Sequence, residues 1–274
     1  MKRITSIFAL VILLLASTSV AAEPKFPIIS GAPTADAGSY VLCPSRKFYD
    51  TALKEGFERS TFIYYAATMV TPGDEESTVR NLAGREFSLP NAMMITIPAG
   101  QKAKVGDILL SWWQSGSGMQ RCIVVGGSPE EPVVRYLDIA YDNPSGAGTK
   151  EDTLKPDSFY VLNSSKQKEA MQIGTTVTAK TQRRERFGQI VAMDDDKVMI
   201  REFAGKLKIY DRSLVTTMPL RPQLAAGDAA DGALFGSMKP VMVVKVDEKI
   251  GRVFTTYQLG RTEKEKVFSF GEIR

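Results

Sequence analysis

The side chains that could do chemistry are concentrated between Lys104 and Asn143. Trp112 and Trp113, the chain's 2 tryptophans, stand side by side, and Arg121, Cys122, Tyr136, Asp138, Tyr141 and Asp142 follow. Such a group could form an aromatic platform for a cation, a peptide or a sugar, since a π-face attracts a cation by about 0.5–2 kcal/mol. Neighbouring residues on a strand point to opposite faces. One tryptophan would therefore enter a core while the other stays nearer the surface with Tyr136 and Tyr141. The plainer account is that both fill a small barrel or cover a neighbouring unit, and the residues favour it. Asp138 and Asp142 could serve as a glycosidase acid–base pair or bind Ca²⁺. Four residues apart on an extended strand, their carboxylates lie about 13 Å from each other, too far to pair unless the chain bends. Hydrogen bonding to loop amides is the better account of both.

Much chemistry is excluded outright. The chain has 0 histidines and 2 cysteines, which removes Ser-His-Asp and Cys-His machinery and His-based or Cys-rich zinc sites. No S-x-x-K signature is present. Gly116-Ser117-Gly118 and the glycines at 146 and 148 lack the spacing of a phosphate-binding loop. Asp194-Asp195-Asp196 reads as a hairpin tip, because no EF-hand spacing follows. The densest basic cluster, Arg183-Arg184-Glu185-Arg186, could attract an anionic polymer or phosphate head groups, although a solvated hairpin loop explains it as well. No cofactor and no metal site is expected.

The N-terminus has the form of an export signal: Lys2 and Arg3, an apolar run from Ile7 to Ala16, then Val20-Ala21-Ala22 as an A-x-A-like cleavage site. The apolar run is short for a membrane span, which weighs against the alternative of an N-terminal anchor. Cleavage after Ala22 would leave 33 basic against 31 acidic residues, a formal charge of about +2 compared with +4 for the whole chain. That is no basic surface. The expected chain is exported (periplasmic or secreted), keeps no transmembrane segment after cleavage and has no nucleic-acid partner. Export also opens a disulfide between Cys43 and Cys122, but Cys122 lies in an apolar run where a free thiol packs well. Both states stay open. Asn163-Ser164-Ser165 matches a glycosylation acceptor.

The elements that must position these residues are short strands. After the signal (1–22) and a proline-rich extended leader (23–39), an N-terminal β-containing region (40–99) has one short amphipathic helix over 47–57. It has strands over 61–70, 86–89 and 92–97, and a polar, turn-like stretch over 74–84. From Gly100 the pattern becomes periodic. Gly106-Asp107, Gly174-Thr175 and Gly227-Asp228 each open a unit, and each leads to an apolar strand, a turn, a second strand and an apolar closure. The units run over 100–165, 170–219 and 226–274. Units with four or five short strands fit small closed barrels; one continuous β-sandwich is the alternative.

The first unit carries a resemblance. Gly106-Asp107-Ile108-Leu109-Leu110-Ser111-Trp112, then Gln120-Arg121-Cys122-Ile123-Val124-Val125, then Val133-Val134-Arg135-Tyr136-Leu137-Asp138 with Tyr141-Asp142-Asn143, resembles the Tudor/Agenet-like group of small barrels. The likeness covers about 60 residues well and the next two units poorly. It implies an all-β (mainly) fold of tandem Tudor-like barrels behind the N-terminal region. In familiar members the aromatics form a cage for methylated Lys or Arg, so it also implies a binding role for Trp112, Trp113, Tyr136, Asp138 and Tyr141. The leading expectation is a non-catalytic binding or scaffolding protein of the periplasm or cell envelope, with a protein, peptide or envelope polymer as partner. The competing expectations are a carboxylate-based hydrolase of envelope polysaccharide working through Asp138 or Asp142, and a purely structural subunit of an envelope assembly.

Overall fold

The computed structural model describes residues 29, 35–57, 59–114, 116, 118–141, 151–162 and 171–274. The export signal, most of the leader, Asp142, Asn143, Gly146 and Gly148, and the acceptor at Asn163 lie outside the described residues. The rest is mainly β, grouped into four antiparallel sheets among the described residues.

The first sheet contains β1 (Tyr40–Pro44), β2 (Tyr64–Thr71), β3 (Glu76–Asn81), β4 (Glu86–Pro90) and β5 (Ile95–Thr96) in the order β4-β3-β2-β1-β5. The helix α1 (Arg46–Glu55) sits between β1 and β2 and buries Tyr49 and Ala52. The second sheet contains β6 (Ile108–Trp112), β7 (Met119–Gly127), β8 (Pro132–Tyr136), β9 (Glu151–Thr153) and β10 (Phe159–Leu162). The third contains β11 (Thr176–Lys180), β12 (Glu185–Met193), β13 (Lys197–Glu202), β14 (Leu207–Asp211) and β15 (Val215–Thr217). Both repeat the order of the first, a four-strand meander whose fifth strand returns to pair with the first. The fourth sheet, β16 (Ala229–Leu234), β17 (Ser237–Asp247), β18 (Arg252–Leu259) and β19 (Thr262–Ser269), keeps the meander. Its fifth strand shrinks to one bridge, Gly232 to Ile273, flanked by backbone hydrogen bonds between Asp231 and Arg274. The region 40–99, whose architecture its residues left open, therefore has the strand order of the units behind it.

One local device recurs four times. Gly38, Gly106, Gly174 and Gly227 all sit at φ between 89° and 94°, a conformation that only glycine adopts without steric cost. The N–H groups of these glycines donate to Met69, Val124, Ile190 and Val243 respectively. Each of those residues donates back to the residue after the glycine: Ser39, Asp107, Thr175 and Asp228. Immediately beyond each, the register to the third strand slips by one residue, at Val70, Val125, Val191 and Val244. A bulge of this kind bends and twists its strand, which is what a sheet of five short strands needs in order to curl onto itself.

One local expectation is corrected. The stretch 74–84 is not simply turn-like, because it contains β3. Ser77 and Val79 face inward there, while Arg80 faces out and bridges to Glu86 of β4 at 2.7 Å; the charged outward positions mask the alternation. In the fourth sheet, β16 starts at Ala229 although Ala229-Ala230-Asp231 is poor in β-formers. Gly232 of β16 is small because a Cβ there would stand 2.5 Å from the Phe268 ring.

The sheets pack as one body, not as beads and not as a single sandwich. In β6, Leu109 enters the interior of its own barrel with Cys122, Val134 and Phe159, while Ile108 and Leu110 face a core shared with residues of all four sheets. In β12, Ile190 is interior and Val191 joins the shared core. Burying each such side chain on a second face adds about 1.5–3 kcal/mol of apolar burial. This explains why strands such as Ile108-Leu109-Leu110 are apolar at consecutive positions instead of alternating.

Candidate functional site

The five residues of the expected aromatic face divide into separate sets of contacts. Trp112 ends β6 and packs against the shared core, with its indole Nε1 buried and without a hydrogen-bond partner among the described residues. Trp113 turns the other way, toward the interior of the second barrel, and meets Tyr136 at a ring-centroid distance of 5.9 Å and an angle of 53°. Strand alternation thus separates the two tryptophans, as expected. One face of Trp113 is covered by the backbone of Gly116: a Cβ there would stand 2.2–2.4 Å from the indole ring, so no other residue fits without moving the tryptophan.

Tyr136 is 1% exposed. Its hydroxyl donates to Asp152 Oδ2 at 3.0 Å and accepts from the Gln114 N–H at 3.3 Å. Burial pushes the phenol's pKa far above its ordinary value, so it is a fixed donor and not an acid. Trp113, Tyr136 and Asp152 make a corner at the end of the second barrel: two aromatic rings and a carboxylate, with Gly116 lying on the indole.

Asp138 and Tyr141 lie elsewhere, at the joint with the fourth sheet. Asp138 accepts from the Arg121 N–H at 2.7 Å, from Nε at 3.0 Å and from Nη2 at 2.5 Å. Arg121 itself is 0% exposed. Its Nη1 donates to the Phe270 carbonyl at 2.6 Å and reaches Thr176 Oγ1 at 3.5 Å, and its Nη2 reaches Ser269 Oγ at 3.4 Å. One guanidinium therefore ties the second sheet to the third and fourth. Beside it, Arg252 donates from Nη2 to the carbonyls of Tyr136 at 2.8 Å and Ile139 at 3.0 Å, and burial lowers its pKa. Arg252 also lies 6.0 Å from the Tyr141 ring, which stands edge-on to Phe254 at 5.3 Å. A carboxylate held by three N–H groups of one arginine is engaged in structure, and both of its oxygens are occupied by Arg121. Its suggested partner Asp142 lies outside the described residues.

The disulfide between Cys43 and Cys122 is not formed; both thiols are free and buried. Cys43 belongs to the shared core, whereas Cys122 points into the second barrel and contacts the Leu109 carbonyl at 3.8 Å. The strand alternation that sends Arg121 outward sends Cys122 inward, away from the first sheet. Burial pushes the Cys43 thiol up to about 12 and the Cys122 thiol well above its ordinary range, so neither is a nucleophile at neutral pH. Among the described residues, no cluster of three or more Cys, Asp or Glu could hold a metal.

Sequence reasoning missed Arg121 and Arg252 as joints. The available signal was an arginine inside an otherwise apolar strand, in Met119-Gln120-Arg121-Cys122-Ile123-Val124. It also missed Phe203 and Phe235, which are 65% and 75% exposed.

No protein-family profile matches the chain, and no curated protein matches it. A solved structure of the four MBT repeats of Drosophila melanogaster Sfmbt, in complex with a peptide RHR(me)K VLR, aligns with 87% of this chain and 88% of that one, at 7% identity and a TM-score of 0.17. A score that low carries no argument about this chain.

Proposed function

We propose that this chain is an exported, non-catalytic binding or scaffolding protein of the cell envelope that recognises a protein or peptide. One observation carries the reading: the groups that could have done chemistry are committed to holding four barrels together. The buried Arg121 is joined to Asp138, both thiols are protonated and enclosed, and Tyr136 is a fixed donor. A rigid body of this kind presents ends and turns, and the half-buried Trp113, backed by the buried Tyr136 ring and near the Asp152 carboxylate, has the chemistry for a cationic or aromatic peptide side chain: the uncovered part of one indole beside a carboxylate. The Tudor/Agenet-like resemblance points to the same class of ligand.

The test is a photo-reactive phenylalanine analogue at position 113, in the chain from Glu23 onward, irradiated with an envelope extract of its own source. Discrete adducts that are absent when the analogue sits at the solvent-exposed Lys264 support the reading. Equal, diffuse labelling from both positions removes it. Release of reducing sugar from purified envelope polysaccharide, lost on Asp138→Asn in a variant that stays folded, would install the hydrolase reading in its place.

A further inference from the structure

One end of the molecule combines exposed aromatic side chains with basic residues that have no ion-pair partner among the described residues. The β16–β17 hairpin closes through two residues, Phe235 and Gly236, with Leu234 paired to Ser237. Both turn residues have positive φ, 50° and 74°, the pattern of a type I′ turn, which strongly prefers Asn-Gly. A phenylalanine there strains the backbone and gains no burial in return, since it is 75% exposed. Phe203 adjoins it: a Cβ on Gly236 would stand 2.8 Å from the Phe203 Cβ, and Phe203 is 65% exposed. The Phe187 N–H donates to the Gly236 carbonyl at 3.1 Å, which brings the start of β12 to the same tip. Arg184 is three residues away, roughly 10 Å along the strand, and Arg183 and Arg184 are exposed on the β11–β12 turn. Arg186 sits between them and the tip, and Lys239 is exposed on β17. Of the nearby carboxylates, Glu185 is paired with Arg274 at 2.7 Å, and Glu202, which accepts from the neutral Tyr210 hydroxyl, can offset no more than one of the four basic side chains.

We infer that this end docks on a bilayer bearing anionic lipids, with Phe203 and Phe235 entering the interfacial layer and the arginine turn lying against the phosphate groups. An apolar tip flanked by basic residues gains from both parts of such a surface. An acidic protein would satisfy the arginines but would leave no reason for a bulky side chain in a strained, exposed turn.

Vesicle flotation with the chain from Glu23 onward tests this, and that chain retains every described residue. Binding is expected to vesicles of phosphatidylcholine with about one-third phosphatidylglycerol, and to fall about tenfold or more on pure phosphatidylcholine. Phe235→Asn installs the preferred turn residue, so its urea midpoint should equal or exceed the parent's while its vesicle affinity drops about tenfold. Arg183→Ala/Arg184→Ala should weaken binding to a similar degree and remove most of its salt dependence. Failure of the parent chain to float at low salt overturns the inference, as does equal flotation of Phe235→Asn. Retention on soluble polyglutamate without flotation overturns it too, in favour of an acidic protein. None of these outcomes bears on position 113, so the peptide-binding reading stands or falls separately.

Discussion

At the scale of single residues, this protein spends its ionisable groups on structure. Arg121 satisfies Asp138 and the Phe270 carbonyl at once. Truncating it would leave a half-buried carboxylate and a carbonyl without donors. Arg121→Ala should therefore cost about 3–5 kcal/mol, read as a lower urea midpoint. The thiols give a second expectation. Both should resist a disulfide reagent such as DTNB at pH 8 in native buffer and react fully once the chain is denatured. Burial favours the neutral form of Cys43, whose folded pKa of about 12 stands above the ordinary value of a free thiol. Its contribution to stability is therefore complete below about pH 8.5 and is lost as the pH climbs from there toward 12. Burial raises the pKa of Tyr40 and Tyr64 as well, so their contributions are lost in the same direction at higher pH. The urea midpoint should fall between pH 7.5 and pH 10.5; a flat profile would contradict the burial of these groups.

At the scale of elements, the recurring unit is a left-handed glycine, a strand pair and a bulged valine. The four opening glycines differ in surroundings, which gives a graded test. Gly227 has nothing within 4 Å of a notional Cβ, whereas Gly174 would place one 2.8 Å from Leu110 and 3.1 Å from Leu162. Gly227→Ala should cost about 1–2 kcal/mol, the backbone cost alone, and Gly174→Ala clearly more; equal losses would mean that the Leu110 contact is immaterial. The outer edge of β19 has no strand partner among the described residues. Glu263 and Glu265 share one face there, and Lys264 and Lys266 share the other. Paired residues of two antiparallel copies must lie on the same face, so a second β19 would meet Glu against Glu and Lys against Lys. This blunts the edge. Lys264→Val/Glu265→Val should make the chain self-associate more strongly than the parent as its concentration rises, measurable by light scattering.

At the scale of the whole molecule, the last five residues decide whether four barrels behave as one. Phe270 and Ile273 are 0% exposed, the Phe270 carbonyl accepts from Arg121, and Arg274 bonds to Thr178 and Glu185 of the third sheet. Ending the chain at Ser269 removes the bridge that stands in for a fifth strand and the acceptor that fixes Arg121. The intact chain should unfold in a single calorimetric transition, and the shortened one in at least two, because the sheets would lose their common joint.

Much of this architecture could be read without coordinates. The β class, the Gly106, Gly174 and Gly227 turns and the opposite directions of Trp112 and Trp113 all follow from local properties: turn chemistry, β-propensity and the period-2 alternation of side chains. The copy opened by Gly38 escaped notice because Gly38 and Ser39 close the proline-rich stretch that reads as an extended leader. Local pattern could not say which of a strand's two faces meets solvent and which meets a neighbour, since both are apolar in Ile108-Leu109-Leu110 and in Cys122-Ile123-Val124. Only the packing of the four sheets made Arg121 and Asp138 a joint, closed Gly116 over Trp113, kept Cys43 apart from Cys122 and brought Phe203 beside Phe235. Those contacts join residues as much as 149 positions apart, and their partners are chosen by the shape of the assembled core.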